Sequence, residues 1–309
     1  MKAPLQVAVG VIKNSTGDIL ISQRAKSAHQ GGLWEFPGGK LEANETAQQA
    51  LKRELQEELA IIVEHCQPLI TINHDYSDLS VLLTVFLVDE FTGIAIGCEN
   101  QAIKWVLATK LNQYSFPEAN KAIIMAAQLP SYYPIINTNS LTECQQQLLH
   151  CIQQDYSLVQ LRAKQLSAND LQIFLAYAQP LCKQHQLRLL INSAMPVTDG
   201  YPHRHLTSAD LMALTQRPKL SGLVAASCHN LIELKQAQLM DLDFAIIAPV
   251  LATTTHPDTL PLGWEIIKQW LKQVNIPVYT LGGMQLNHLN LTNSMGGQGI
   301  SGIRVFYNI

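Results

Sequence analysis

From Leu5 to Ile12 and again from Asp18 to Gln23, apolar residues alternate or run together over strand length, and Asn14 to Gly17 between them is turn chemistry. The rhythm then changes. Ala47, Leu51, Leu55 and Leu59 recur at helical spacing, so one face of a helix can be buried. Glu54, Glu57 and Glu58 stand at i, i+3 and i+4 and share another face of that helix. Residues 79–88 (LSVLLTVFLV) form a long strand-like run and Lys104 to Val106 a shorter one, and a helix is expected after Pro117, ending near Leu129. This first part reads as mixed α+β, with a helix embedded among strands.

Beyond a short LPSYYP connection the pattern becomes repetitive. Strands are expected at 132–137, 157–162, 187–192, 203–206, 221–226, 243–248, 276–281 and 299–303. Helical patterns lie between most of them, for example at 167–184 and 261–273. Such alternation predicts a parallel (β/α)8 barrel, with its chemistry at the C-terminal ends of the strands. At roughly 180 residues it is short for a fold in which about 250 is typical. The boundary is placed at 129–131, giving expected domains 1–129 and 131–309.

A chain of 309 residues suits two ordinary domains. A net charge of −3 gives no support for nucleic-acid or membrane-surface binding. No apolar run reaches membrane-spanning length, and the N-terminus passes straight into strand-like alternation, so it does not read as a signal peptide. The six cysteines show no CxxC pair and read as reduced thiols, which points to a cytoplasmic location. His203 and His205 are too few for a structural zinc site. Composition says nothing about oligomeric state.

The three glutamates on one helical turn repel one another. A hard divalent cation would remove that penalty, because Mg²⁺ takes oxygen ligands and keeps waters. A solvated amphipathic helix would account for the glutamates alone. It does not account for spacing that extends well outside the helix, to Gly39 and Glu45 before it and to Arg53, Leu59 and Ile61 within and after it. This pattern resembles the Nudix box, with Ala60 where that family usually has Gly. Ala being the mildest replacement, a shifted helix end is expected there. The stretches QVAVGVI, AHQGGLWEFPGGKLE, RELQEEL and FPEAN, with the Arg24 loop, Glu99, Gln101 and Trp105, narrow the resemblance to the MutT-type 8-oxo-dGTP diphosphatases.

The resemblance implies an α+β Nudix fold, a mixed sheet between helices, and hydrolysis of 8-oxo-dGTP to 8-oxo-dGMP and pyrophosphate, which cleans the nucleotide pool and prevents mutation. It implies Mg²⁺, with Mn²⁺ as an alternative, held by Gly38, Glu54, Glu57, Glu58 and Glu99. Glu54 or Glu99 would also orient or deprotonate the water; sequence does not separate those roles. Glu45 and Arg53 would pair to fix the loop–helix geometry. Arg24 and Lys40 are candidate phosphate contacts, and Phe36, Tyr76 and Asn120 candidate base contacts. Asn120 matters because its amide can accept from the N7–H of an oxidised guanine while donating to O6. Another nucleoside triphosphate, or a pyrophosphate of the thiamine pathway, is the alternative substrate.

The second part resembles thiamine phosphate synthase and its TenI-type relatives over about 132 to 305. Gln160, Arg162 and Lys164 alternate along an expected strand and would face one way. Asn192, Asp210, Ser227, His229, His256, Gly282 and Gly283 complete the ligand site that the resemblance implies, for a phosphorylated thiamine intermediate. Two departures stand out. Ser193 replaces an expected Asp, which leaves Asp210 alone for Mg²⁺, and His256 replaces a Lys. These point to a TIM-type barrel degenerate as a synthase. His229 leaves room for proton-transfer chemistry such as a thiazole tautomerase's, and a ligand-sensing or assembly module is the non-catalytic reading.

Overall fold

The computed structural model describes residues 3–27, 29–196, 200–253 and 259–307. The chain divides into two compact units, the first Met1–Gln128 with the short segments Leu271–Asn275 and Asn293–Gly296, the second Leu129–Trp270, Ile276–Thr292 and Gly297–Ile309. The first contains β1 (Leu5–Ile12), β2 (Asp18–Gln23), β3 (Trp34–Glu35), β4 (Gly38–Lys40), α1 (Ala47–Leu59), β5 (Ile62–Asp75), β6 (Ser80–Thr92), β7 (Ile103–Leu107) and α2 (Lys121–Gln128). One sheet has the order β4-β1-β6-β5, with β1 parallel to β6 and the outer strands antiparallel to their neighbours. A second sheet runs β3-β2-β7.

β1 is buried on both sides, and its alternation divides the core in two. Ala8 and Ile12 join Leu51, Leu55 and Leu59 of α1. Val9 and Val11 join Phe36, Ile72, Val85 and Ile123 of α2. β5 was not anticipated from the sequence. Its pairing with β6 slips at Val63/His65, His65/Cys66 and Pro68/Ile70, and each irregularity breaks the two-residue period by which a strand is recognised.

α1 starts on a capping box: the Thr46 hydroxyl accepts from the Gln49 N–H, and the Gln49 side chain accepts from the Thr46 N–H at 2.9 Å. Its end is not shifted. Ala60 itself takes the left-handed cap conformation (φ 56°, ψ 30°) that a glycine would take, and its N–H reaches the carbonyls of Leu55 and Gln56.

The second unit contains β8 (Tyr132–Ile136), α3 (Leu141–Gln153), β9 (Leu158–Leu161), α4 (Ala168–Gln184), β10 (Arg188–Asn192), β11 (Arg204–Leu206), α5 (Ser208–Met212), β12 (Val224–Cys228), α6 (Leu231–Leu239), β13 (Phe244–Ile247), α7 (Trp264–Leu271), β14 (Val278–Thr280), α8 (Leu289–Ser294) and β15 (Gly299–Gly302). The strands close into an eight-stranded parallel barrel, β8 through β15 in chain order. The fifth strand lies later than its expected 221–226. Val159 and Leu161 pack outward with the α3 and α4 residues Leu148 and Phe174, so Gln160 between them points inward. The interior is filled by Tyr133, Phe244 and Tyr279, whose ring centroids lie 5.2 to 5.5 Å apart. No helix among the described residues is long and apolar enough to cross a membrane.

Candidate functional site

α1 carries its glutamates against the glycines of β4. A Cβ on Gly39 would fall 2.1 Å from the Glu54 carboxyl carbon, so only glycine lets that carboxylate lie against the strand. Gly38 has φ 146°, and a Cβ there would strike the Ala8 carbonyl. Arg53 fastens the turn before the helix to the helix itself. It donates to both Glu45 oxygens at 2.8 and 2.9 Å, to Glu54 at 2.8 Å and to the Lys40 carbonyl at 3.1 Å. These bonds hold the Glu45 carboxyl down at about 2. The pairing expected for Glu45 and Arg53 is therefore present.

Glu58 is mostly buried, and burial pushes its carboxyl up to about 8, with repulsion from Glu35, Glu54 and Glu99 adding to the shift and a hydrogen bond from the Gly38 backbone opposing it. Glu99 comes from the loop before β7. That loop is docked on the end of α1, where the Cys98 N–H and the Gln101 amide both donate to the Glu58 carbonyl, at 2.9 and 3.0 Å. The Gln101 side-chain oxygen Oε1 accepts from the Glu99 N–H at 2.8 Å. Glu57 differs from its neighbours: its side chain is 61% exposed and touches Arg53 at 3.3 Å. No group of three His, Cys, Asp or Glu side chains stands at metal-ligand spacing among the described residues.

Beside the carboxylates opens a cavity of about 510 Å³. Arg24, Phe36, Gly38, Lys40, Glu58, Tyr76 and Asn120 all line it. Phe36 is buried and stacks on Phe116 at 5.4 Å. Asn120 is 8% exposed at the end of the 3₁₀ turn Glu118–Asn120, where its position before α2 would otherwise suggest a cap. Tyr76 meets His29 and His74 edge-on, and burial pushes its hydroxyl up from the usual tyrosine value. Arg24 does not stand free in the cavity. It is paired with Glu35, and its Nε–H donates to the His29 carbonyl at 2.8 Å.

In the second unit Gln160 is 1% exposed, and its Nε2 has no hydrogen-bond partner among the described residues. The strand expected to carry Gln160, Arg162 and Lys164 is shorter than that, although Ala163 still packs on the outer side with Val159 and Leu161. β9 ends at Leu161, Arg162 follows it partly buried, and Lys164 sits exposed in a turn. Asn192 closes β10, and its side-chain oxygen accepts from the Ala194 N–H. Ser227 shares a hydrogen bond of 2.9 Å with His205 Nε2, and His205 Nδ1 meets the Tyr133 hydroxyl at 3.2 Å. His229 is exposed and bonds Glu233. Asp210 accepts from the Ser193 and Thr207 hydroxyls. Gly282 and Gly283 line a cavity of about 290 Å³ together with Ser301, Gly302 and Arg304. His256 lies outside the described residues.

A family model described as "NUDIX domain" matches residues 8–126, and one described as "Thiamine monophosphate synthase" matches residues 132–306. An 8-oxo-dGTP diphosphatase of Escherichia coli (strain K12) is 40% identical over 120 residues, covering 39% of this chain and 93% of its own length. One from Proteus vulgaris is 51% identical over 90 residues, 29% of this chain and 80% of its own. The putative thiamine-phosphate synthase 2 of Aquifex aeolicus is 30% identical over 186 residues, 58% of this chain and 98% of its own. The chain belongs to both families, one after the other.

Three residues of these sites, Glu35, His205 and Arg304, were not marked as site residues in the sequence. In the Nudix unit, Glu35 binds Arg24 and adds its charge to the Glu58 neighbourhood. A signal existed, since a Glu between Trp34 and Phe36 on a strand entering Gly38-Gly39 is an acidic residue on an otherwise apolar stretch. In the thiamine-synthase-like barrel, His205 is wholly buried. Burial, aided by the Arg162 charge, pushes its imidazole down to about 3, so it is a neutral spacer between Tyr133 and Ser227.

Proposed function

We propose that the N-terminal unit hydrolyses 8-oxo-dGTP to 8-oxo-dGMP and pyrophosphate with Mg²⁺, and that the barrel mouth holds a phosphorylated ligand. The observation that carries the first reading is the crowding of Glu58 by Glu35, Glu54 and Glu99 at the edge of a cavity walled by Asn120. Carboxylates that raise one another's proton affinity form a donor set a hard cation would relieve; their oxygens suit Mg²⁺ in kind, and binding it would draw them together from the wider spacing they hold in the metal-free chain. Glu54, Glu58 and Glu99, with the Gly38 carbonyl and Glu57 from the exposed side, would hold it. Bound there, Mg²⁺ would offset the charge of the triphosphate and lower the pKa of a water.

The chain's own groups do the rest. Glu54 or Glu99 accepts the proton of the attacking water, and the anhydride bond between the α- and β-phosphates breaks as the new P–O bond forms. Lys40 and Arg24 meet the phosphates, and Glu35 keeps Arg24 extended along the cavity wall. The missing Cβ atoms of Gly38 and Gly39 allow the phosphates to come close to the backbone. Phe36 and Tyr76 pack on the base. Asn120 accepts from N7–H and donates to O6 of the oxidised base. Unmodified guanine presents two acceptors and leaves the amide oxygen unsatisfied, at a cost of about 1–3 kcal/mol.

The test is a panel of nucleoside triphosphates and thiamine-pathway pyrophosphates assayed for phosphate and pyrophosphate release with Mg²⁺ varied. Highest kcat/KM on 8-oxo-dGTP is expected, and a preference for any other member would replace the substrate assigned here. Asn120→Ala should cut the preference for 8-oxo-dGTP over dGTP by about tenfold or more while sparing dGTP turnover. Equal losses on both substrates would contradict the pocket assignment.

A further inference from the structure

The likeness to thiamine phosphate synthases leads one to expect two carboxylates and Mg²⁺ at the barrel mouth, after the third and fourth strands. The residues of this chain do not fit that ion. Ser193 follows β10, and its hydroxyl donates to Asp210. The Thr207 hydroxyl donates to the same carboxylate oxygen at 2.7 Å. The Thr207 N–H donates to the Ser193 oxygen at 2.9 Å, and the Asp210 N–H to the Thr207 oxygen at 3.2 Å. Each hydroxyl of this ring gives its proton to Asp210 and takes one from the backbone. The carboxylate therefore ties the end of β10 to the corner between β11 and α5, and the partner that would have shared a cation with it is a neutral hydrogen-bond donor. Mg²⁺ is held through charged oxygens with near-octahedral geometry, and one carboxylate already bonded in this way is a poor seat for it.

Two other features still point to a ligand. The first is the cavity at the C-terminal ends of β14 and β15. Gly282 and Gly283 have φ 97° and 68°, a Cβ on Gly283 would lie 2.6 Å from the Ala252 carbonyl, and Arg304 lines the wall. Such a loop offers backbone and a guanidinium to a phosphate group. The second is the buried Gln160 amide, one residue before the end of its strand and facing inward, with Nε2 unpaired among the described residues. A buried donor left unmatched is costly, and a ligand acceptor would match it. A phosphate monoester carries about two charges at neutral pH, which the Arg304 guanidinium and the backbone of the glycine loop can offset without a metal.

We propose that the barrel takes a phosphate monoester with no divalent ion, and that Ser193 and Thr207, by closing Asp210, set it against a metal-bound diphosphate. This rests on the reading of the barrel mouth as a phosphate site. Crystals of the full chain would be soaked in one arm with inorganic phosphate and EDTA, and in another with pyrophosphate and Mn²⁺, with Mn²⁺ located by anomalous scattering. Phosphate density between Gly282 and Arg304 under EDTA, with no Mn²⁺ peak on Asp210, is expected. A Mn²⁺ peak on Asp210 of the unaltered chain overturns the proposal and leaves the phosphate reading standing, as does phosphate that enters only with Mn²⁺. Anion density in neither arm overturns the phosphate reading and the proposal with it. Ser193→Asp should gain a Mn²⁺ peak at Asp210; a folded variant without one removes Ser193 as the determinant.

Discussion

Glu58 concentrates the electrostatic strain of the Nudix site, because its burial and its three carboxylate neighbours all oppose its charge. Its folded-state pKa of about 8 lies above the ordinary 4.5. The stability it lends to the metal-free protein is therefore fully present below the ordinary value and is lost as pH rises through about 8. In EDTA, Glu58→Gln should melt above the unaltered chain at pH 8, and the two should converge in acid. Added Mg²⁺ should reverse the order at pH 8, since the variant lacks a ligand. Thermal scans with and without chelator check both, and an unaltered chain whose metal-free melting point does not fall between pH 5 and 8 would refute the crowding. Ala60 holds another local strain. A left-handed alanine costs roughly 1–2 kcal/mol, partly offset when glycine replaces it by the greater freedom of the unfolded chain. Ala60→Gly should stabilise the N-terminal unit by about 1 kcal/mol, read from the denaturation midpoint; a lowered midpoint would mean that the cap carries no strain.

At the scale of elements, the site depends on the close approach of β4 to α1. Gly39→Ala leaves the backbone allowed but places a methyl where the Glu54 carboxylate lies. The fold should survive, since a flexible side chain can move aside, while kcat falls by about a hundredfold as Glu54 is displaced. A variant of native activity would show that Glu54 need not lie against the strand. The same pair of elements shows what the sequence can express. α1 was legible because four leucine and alanine positions and the glutamate spacing agree on one helix. The barrel strands were legible as repeated apolar runs, since strands buried on both faces need no alternation. β5 was hidden by its bulges, and β3 and β4 by their shortness. Arg24 and Lys40 were readable as cations near phosphates, but the partner of Arg24 was not, because Glu35 lies eleven residues away and meets it only across paired strands. The hydrogen-bonded ring of Ser193, Thr207 and Asp210 was hidden for the same reason. The loss of a carboxylate there is legible at Ser193, and only the packing of β10 beside β11 turns that loss into a satisfied network.

For the whole molecule, two families in one chain raise the question of whether two ligands act on one stability or on two. Each unit has its own core: the N-terminal residues cluster around β1 on both faces, and the barrel closes on itself around Tyr133, Phe244 and Tyr279. A chain built in this way should unfold in two steps, and a ligand raises only the step of the unit that binds it. Calorimetry with a non-hydrolysable triphosphate and Mg²⁺ should move one transition, and inorganic phosphate under EDTA should move the other. Each ligand at a hundred times its Kd is worth about 2.7 kcal/mol. Glu58→Gln should abolish the first shift and keep the second, and Arg304→Ala should do the reverse. A single transition that both ligands raise together would mean that the two families share one folding unit, and that nucleotide and phosphate ligands are thermodynamically linked through it.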